Sequence, residues 1–122
     1  MSPVKVVIGD RLGKGQRVAE GVRQAGGEPI LIPGIGADMK LGDVMHENDA
    51  DFGISFCGSG GAGAVTANTK YGYPYEFSLR TIDAGVTAIR NGAKVVGFGF
   101  LDQEELGRRL TEAYIATHPE VQ

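Results

Sequence analysis

The sequence has little cysteine and no long apolar run. Its one cysteine, Cys57, cannot form a disulfide within the chain, which favours a reducing compartment. No stretch approaches the ~20 apolar residues that a membrane-spanning helix needs, and the N-terminus lacks the pattern of a secretory signal. We therefore expect a cytoplasmic protein that has no membrane among its partners.

The chain also lacks an excess of basic residues. It carries 12 Lys and Arg against 15 Asp and Glu, which gives a net charge of −3, and the basic residues are scattered. Proteins that bind nucleic acid or an anionic membrane concentrate positive charge on one face or stripe. We therefore expect no nucleic acid among the partners.

Histidine is scarce, and the two histidines do not form a recognisable site. His46 and His118 lie far apart in the sequence, with no Cys, Asp or His at ligand spacing, so no metal is predicted. The spacing of Ser59 and His46 does not indicate a catalytic triad with a carboxylate either. Such triads are recognised by their geometry, which a sequence does not show. No cofactor is predicted.

Glycine is abundant, with 20 among 122 residues, and it stands at the ends of apolar segments. Short β-branched segments alternate with segments of helical periodicity. The predicted strands cover 4–8, 29–32, 51–57, 76–80 and 94–100, and helices are predicted between them and after the last. This alternation predicts one α/β domain over residues 1–122, a three-layer α/β/α sandwich with a five-stranded, mainly parallel, Rossmann-like sheet.

Polar residues in front of three helical segments indicate how those helices begin. Asp38 is a candidate cap for the helix that carries Leu41 and Met45, and Thr81 is a candidate N-cap for the helix over 81–91. Asp102, with Glu105 three residues later, has the pattern of a capping box for the last helix.

Between residues 52 and 70 an apolar strand leads into a glycine loop and then into a helix. Gly58, Gly60, Gly61 and Gly63 let the backbone turn and expose its N–H groups. Where these groups meet the positive end of a helix dipole, we expect an anion site. The pattern is neither G-x-G-x-x-G nor a P-loop. The alternative is that the glycines only let the helix pack closely on the sheet.

The carboxyl ends of parallel strands meet at one edge of the sheet, where open α/β sheets bind ligands. Three of the predicted ends carry polar chemistry: Asp10 and Arg11, the loop that begins at Cys57, and Arg80. Taken alone, each arginine is more typical of a surface residue that contacts solvent or a carboxylate. Taken alone, Cys57 is more typical of a small, inert core residue.

The second half of the chain resembles the family of type B ribose-5-phosphate isomerases and galactose-6-phosphate isomerase subunits. Residues 54–60 (Ile-Ser-Phe-Cys-Gly-Ser-Gly) are similar to that family's strand and Cys-Gly-Thr-Gly, and residues 66–70 (Thr-Ala-Asn-Thr-Lys) to its Ala-Ala-Asn-Lys. Residues 90–99 and 104–117 follow its later strand and closing helix. The chain also resembles a small glycine-rich bacterial family from sugar-uptake gene clusters.

The resemblance implies that a Cys57 thiolate moves a proton between adjacent sugar carbons, with Ser59 in place of the family's Thr and loop N–H groups binding the enediolate oxygen. The chain departs from the family in three ways. Arg11 stands where the family has His, Arg90 replaces its ring-opening His, and Gly92 replaces an Asp.

We therefore expect a homo-oligomer, most simply a homodimer, that binds a small phosphorylated sugar or sugar acid and isomerises it. The alternatives are a non-catalytic subunit for metabolite sensing or assembly and, with less support, a nucleotide-binding protein. The predicted catalytic residues are Cys57 and Ser59. The predicted ligand-binding residues are Asp10, Arg11, Gly58, Gly60, Gly61, Gly63, Asn68, Arg80, Arg90 and Asn91.

Overall fold

Five parallel strands form the centre of the molecule in a computed structural model that describes residues 3–58 and 60–120. The strands are β1 (Lys5–Asp10), β2 (Glu28–Leu31), β3 (Phe52–Phe56), β4 (Tyr75–Leu79) and β5 (Val95–Phe98). Their order across the sheet is β2-β1-β3-β5-β4, and every pair is parallel. The predicted α/β sandwich with a Rossmann-like sheet is confirmed.

The helices cover both faces of this sheet. They are α1 (Gln16–Gln24), α2 (Leu41–Asn48), α3 (Ala62–Tyr71), α4 (Ile82–Arg90) and α5 (Glu104–Thr117), and a single 3-10 turn (Ala37–Lys40) precedes α2. On one face α5 packs against α1 and α4, and on the other α2 packs against α3. No helix in the described ranges has both the length and the apolar character to cross a bilayer.

Apolar side chains bury both faces of the central strands. Along β1, Val6 and Ile8 belong to the larger core beneath α1, α4 and α5, whereas Val7 belongs to the smaller core beneath α2 and α3. All three are fully buried, as expected of a parallel sheet covered on both sides. The sheet is therefore a rigid support for the loops at its carboxyl edge.

The prediction of helix caps is right for one residue and wrong for two. Thr81 caps α4, because its Oγ1 accepts the Ala84 N–H at 3.1 Å. Asp102 instead accepts the Val18 N–H at 3.0 Å, in the first turn of α1. Several helices begin at this edge, so a carboxylate in the loop before α5 can reach a neighbouring helix. Asp38 lies within the 3-10 turn and makes no cap bond to α2.

The direction of the helices corrects the expected position of Arg90. Because all strands run the same way, α4 must return from the carboxyl edge of β4 to the amino edge of β5. Arg90 and Asn91 stand at its end. They therefore lie at the edge opposite Cys57, so within one chain Arg90 and Asn91, which were predicted to bind the ligand, do not reach the Cys57 site.

Candidate functional site

Cys57 lies at the carboxyl end of β3 with its sulfur held by the start of α3. Its side chain is 1% exposed, and Sγ accepts the N–H groups of Gly61 and Ala62, both at 3.2 Å. These N–H groups are at the N-terminus of α3, where a helix has unsatisfied donors and a positive dipole end. The arrangement stabilises negative charge on the sulfur, which is the reactive form of a thiol.

The glycines of the loop divide into two groups. Gly61 packs against the backbone of Gly97, and Gly63 packs against the Asp38 carbonyl, so neither position has room for a Cβ. Gly58 is exposed and lines a cleft, whereas Gly60 lines the same cleft but is packed against Ser78, whose Cα would lie 2.7 Å from a Cβ at Gly60. Gly60 and Gly61 also adopt left-handed backbone angles, with φ of 96° and 95°, which few other residues tolerate. The glycines thus allow both close packing and an accessible loop.

Two clefts flank this loop. The Cys57 cleft has a volume of about 300 Å³ and is lined by Arg11, Ile35, Gly36, Asp38, Met39, Cys57 and Ala62. The Arg80 cleft has a volume of about 390 Å³ and is lined by Gly58, Gly60, Ser78, Leu79, Arg80, Gly99, Phe100 and Leu101. Both volumes are at the lower end of the range for small-molecule sites.

Asp10 shapes the loop that presents Arg11. The Asp10 side chain is 2% exposed, and Oδ2 accepts the N–H groups of Leu12 and Lys14 at 2.9 Å each. Arg11 follows it, is exposed, and lines the Cys57 cleft. Asp10 therefore acts on this cleft by fixing its loop, and Arg11 supplies the positive charge.

Asp38 is a site residue that the sequence analysis missed. It lines the Cys57 cleft, is 3% exposed, and is among the few buried polar residues of the described chain. Burial raises the pKa of Asp38 above its ordinary value, against the opposing effects of the Met39 backbone and the Arg11 charge. The sequence offered only an Asp before a helical segment, which is more typical of a cap.

Ser55 is a second missed residue, placed directly beneath the loop. Within the described residues, Ser55 Oγ and Asp38 Oδ1 are the buried side-chain oxygens that have no hydrogen-bond partner. A Cβ on Gly63 would lie 2.7 Å from Ser55 Oγ and would also collide with the Asp38 carbonyl. Buried oxygens of this kind are costly to leave unpaired. Ser55 Oγ and the backbone carbonyl of Asp38 both border Gly63.

Ser78 has an unusual backbone in the wall of the Arg80 cleft. Its φ of 61° is left-handed, and the register between β4 and β5 shifts between Glu76 and Leu79. The Ser78 N–H donates to the Gly60 carbonyl at 2.8 Å, so the irregular strand holds the glycine loop. Irregularities of this kind are common beside functional sites, but no sequence pattern indicated this one.

The remaining predicted residues lie away from the two clefts or outside the described residues. Asn68 donates its side-chain N–H to the Tyr73 carbonyl at 2.9 Å and so holds the turn after α3. Ser59 falls outside the described residues, so its catalytic role stays a prediction. The described part of the chain has no group of three or more His, Cys, Asp or Glu suited to a metal.

Comparison with known proteins identifies the family of this chain. A family model described as "Glycine-rich SFCGS" matches residues 4–117. The chain belongs to the glycine-rich SFCGS family. No curated protein matches the sequence of this SFCGS protein.

Solved structures of type B ribose 5-phosphate isomerases share the fold of the SFCGS protein. The enzyme of Trypanosoma brucei is 25% identical, with a TM-score of 0.69 over 96% of this chain and 87% of that one. The Thermotoga maritima enzyme is 23% identical, with a TM-score of 0.61 over 93% and 87%.

The Mycoplasma genitalium enzyme, solved with bound ribulose-5-phosphate, is 14% identical, with a TM-score of 0.65 over 94% and 85%. The resemblance inferred from the sequence, both to these isomerases and to a small glycine-rich family, is confirmed.

Proposed function

We propose that this SFCGS protein is a cytoplasmic sugar-phosphate isomerase that binds its substrate in the Cys57 cleft. The observation that carries the proposal is the sulfur of Cys57, which accepts two N–H groups at the start of α3 and borders a cleft beside Arg11. The likeness to type B ribose 5-phosphate isomerases over 96% of the chain supports it.

Binding depends on a local positive charge in an acidic protein. The net charge is −3, so an anionic ligand needs a specific cationic contact. Arg11 is exposed at the cleft, and its guanidinium offers several donors to a phosphate or carboxylate. Its loop is fixed by Asp10, which reduces the cost of ordering the arginine when a ligand binds.

The chemistry assigned to Cys57 is a proton transfer between neighbouring carbons. The thiolate takes the proton from the carbon beside the carbonyl, and the electrons of that C–H bond form an enediolate. The thiol then returns the proton to the former carbonyl carbon, while the proton of the neighbouring hydroxyl passes to the former carbonyl oxygen. The new carbonyl forms where that hydroxyl was, so an aldose becomes a ketose or the reverse. Because the Gly61 and Ala62 N–H groups bond to the sulfur, their part is to stabilise the thiolate.

A metabolite-sensing protein of the same fold is the second candidate. It is favoured by Arg90, which stands where the resembling family has its ring-opening histidine and lies at the opposite edge of the sheet. Such a protein would bind the sugar phosphate in the same cleft without exchanging its protons.

We also propose that the working form is a homo-oligomer. The apolar side chains of Leu12, Ile35 and Met39 are 50%, 84% and 51% exposed, and the last two line the Cys57 cleft. A second copy of the chain that covers them would exclude water from the cleft and strengthen its electrostatic interactions.

Proton exchange in deuterated water separates the two candidate functions. The native protein is incubated with ribose 5-phosphate and galactose 6-phosphate, and loss of the proton on the second carbon is followed by NMR. We expect exchange with one of them, and a loss of at least ~10²-fold in Cys57→Ala, since a positioned base contributes about that factor.

Thermal stabilisation by each sugar phosphate is measured in parallel. If the ligand raises the Tm of both proteins while neither exchanges protons, the protein is a sensor. If no sugar phosphate gives either effect, both candidate functions are wrong.

A further inference from the structure

We propose that Asp38 is the acid and base that moves the second proton of this isomerisation, the one that passes between the two sugar oxygens. The inference rests on the proposed function and assigns that reaction a catalytic group besides Cys57. It is carried by an aspartate that lines the same cleft as Cys57 and Arg11 and is almost completely buried.

The first argument is the unpaired oxygen of this carboxyl. Asp38 is 3% exposed, and among residues 3–58 and 60–120 its Oδ1 has no hydrogen-bond partner. Leaving a buried polar atom unpaired costs about 1–3 kcal/mol. A ligand hydroxyl or carbonyl that enters the cleft would supply the missing partner.

The second argument is the fixed backbone position of Asp38. A Cβ on Gly9 of β1 would lie 3.2 Å from the Asp38 Cα, and the Asp38 carbonyl is packed against Gly63 of α3. The backbone of Asp38 is thus held between a strand and a helix on two sides. A catalytic side chain needs such fixed placement, because small displacements reduce rates strongly.

The third argument is the set of charges around the carboxyl. From the end of β1, Arg11 favours the ionised form and Asp10 opposes it, and Cys57 stands at the end of β3. The first two turns of α3 contain no titratable residue. On the side of α2, Lys40 is exposed and Asp43 pairs with Lys70 at 2.7 Å. Burial therefore outweighs the opposing effects and raises the pKa of Asp38 above its ordinary value, which favours the protonated carboxyl.

The step balances without any further reactant. As the Cys57 thiolate removes the carbon proton, the carbonyl oxygen takes the Asp38 proton, and a neutral enediol forms. The Asp38 carboxylate then takes the proton from the neighbouring hydroxyl while the Cys57 thiol protonates the other carbon. The thiolate and the protonated carboxyl are both restored, and the carbonyl has moved by one carbon.

Asp38→Asn tests this, because the amide keeps the size and can donate a hydrogen bond but cannot transfer a proton. The matched control is Asp49→Asn, the same change at an exposed carboxylate after α2, where φ of 51° is compatible with Asn. Isomerisation of the active sugar phosphate is measured across pH for all three proteins, with Tm as the check on folding.

We expect Asp38→Asn to lose ~10²-fold or more in rate and to lose one limb of the pH profile, with ligand-induced stabilisation retained. Asp49→Asn should match the native protein. A merely structural role for Asp38 would lower the rate but keep both limbs, and that result overturns the inference while leaving the proposed function intact. A native protein without isomerisation overturns both.

If Asp38→Asn does not fold, ¹³C NMR of the native protein with labelled aspartate carboxyls tests the same inference. The inference requires an aspartate resonance that titrates in the same pH range as one limb of the rate. If all aspartate carboxyls titrate outside that range, the inference is wrong.

Discussion

Gly63→Ala and Gly58→Ala place the same methyl group on the two sides of the glycine loop with opposite expected results. At Gly63 the new Cβ would collide with the Asp38 carbonyl and lie 2.7 Å from Ser55 Oγ. At Gly58 its nearest neighbour would be the Phe100 ring at 3.6 Å, an ordinary contact. The pair therefore tests whether the loop is held by close packing at one end and open at the other.

Two opposing effects determine how much Gly63→Ala changes the free energy of unfolding. Replacing a glycine inside a helix by alanine gains up to ~1 kcal/mol from helix propensity, whereas forcing a methyl group into a packed site costs about 1–3 kcal/mol. The obstruction is backbone, so the 3-10 turn must move. We expect a net loss of ~1–2 kcal/mol, together with displacement of Asp38 and weaker ligand binding in the Cys57 cleft.

Urea unfolding of the two variants and the native protein measures these effects. Gly58→Ala should stay within ~0.5 kcal/mol of the native protein, as surface changes usually do. Equal stabilities for the two variants would refute the packing argument, since they would show that the turn carrying Asp38 is free to move away from α3.

Three further predictions follow from contacts across the carboxyl edge. Asp102→Ala should lower stability by ~1 kcal/mol and increase amide hydrogen exchange at Val18, because the lost bond caps α1; loss of protection in the first turn of α5 would contradict it. Burial raises the pKa of Asp38 in the folded protein, so the unfolded chain loses this proton at a lower pH than the folded one. The stability of the native protein relative to Asp38→Asn should therefore fall as pH rises above about 3.9. Urea unfolding of both proteins at pH 4 and pH 7 measures this difference. Ile35→Asp should shift the protein to monomer in sedimentation velocity, and an unchanged species would remove this face from the proposed oligomer interface.

The sequence was sufficient for the fold because the signals for strands and helices are local. The apolar run of β1 is buried on both faces. Thr81 caps α4, which begins at the next residue. The glycine loop after β3 identified Cys57 in the same way, because a strand, a thiol and a helix start follow one another in the chain.

What the sequence did not reveal depends on contacts between distant segments. Asp102 resembled a cap for α5, yet its oxygen bonds to Val18 of α1. Asp38 resembled a cap for α2, yet its backbone packs between β1 and α3 and its side chain makes no cap bond to α2. The position of Arg90 follows from the direction in which α4 crosses the sheet. The parallel topology places the end of α4, and Arg90 with it, at the edge opposite Cys57.

A titration of ¹⁵N-labelled protein with ribose 5-phosphate, followed by amide chemical shifts, tests most directly whether the Cys57 cleft is the ligand site. We predict saturable shifts that are largest at the amides of Gly61 and Ala62 and of the turn that carries Asp38. Shifts confined to residues of the Arg80 cleft, or no shifts at millimolar ligand, would contradict the account.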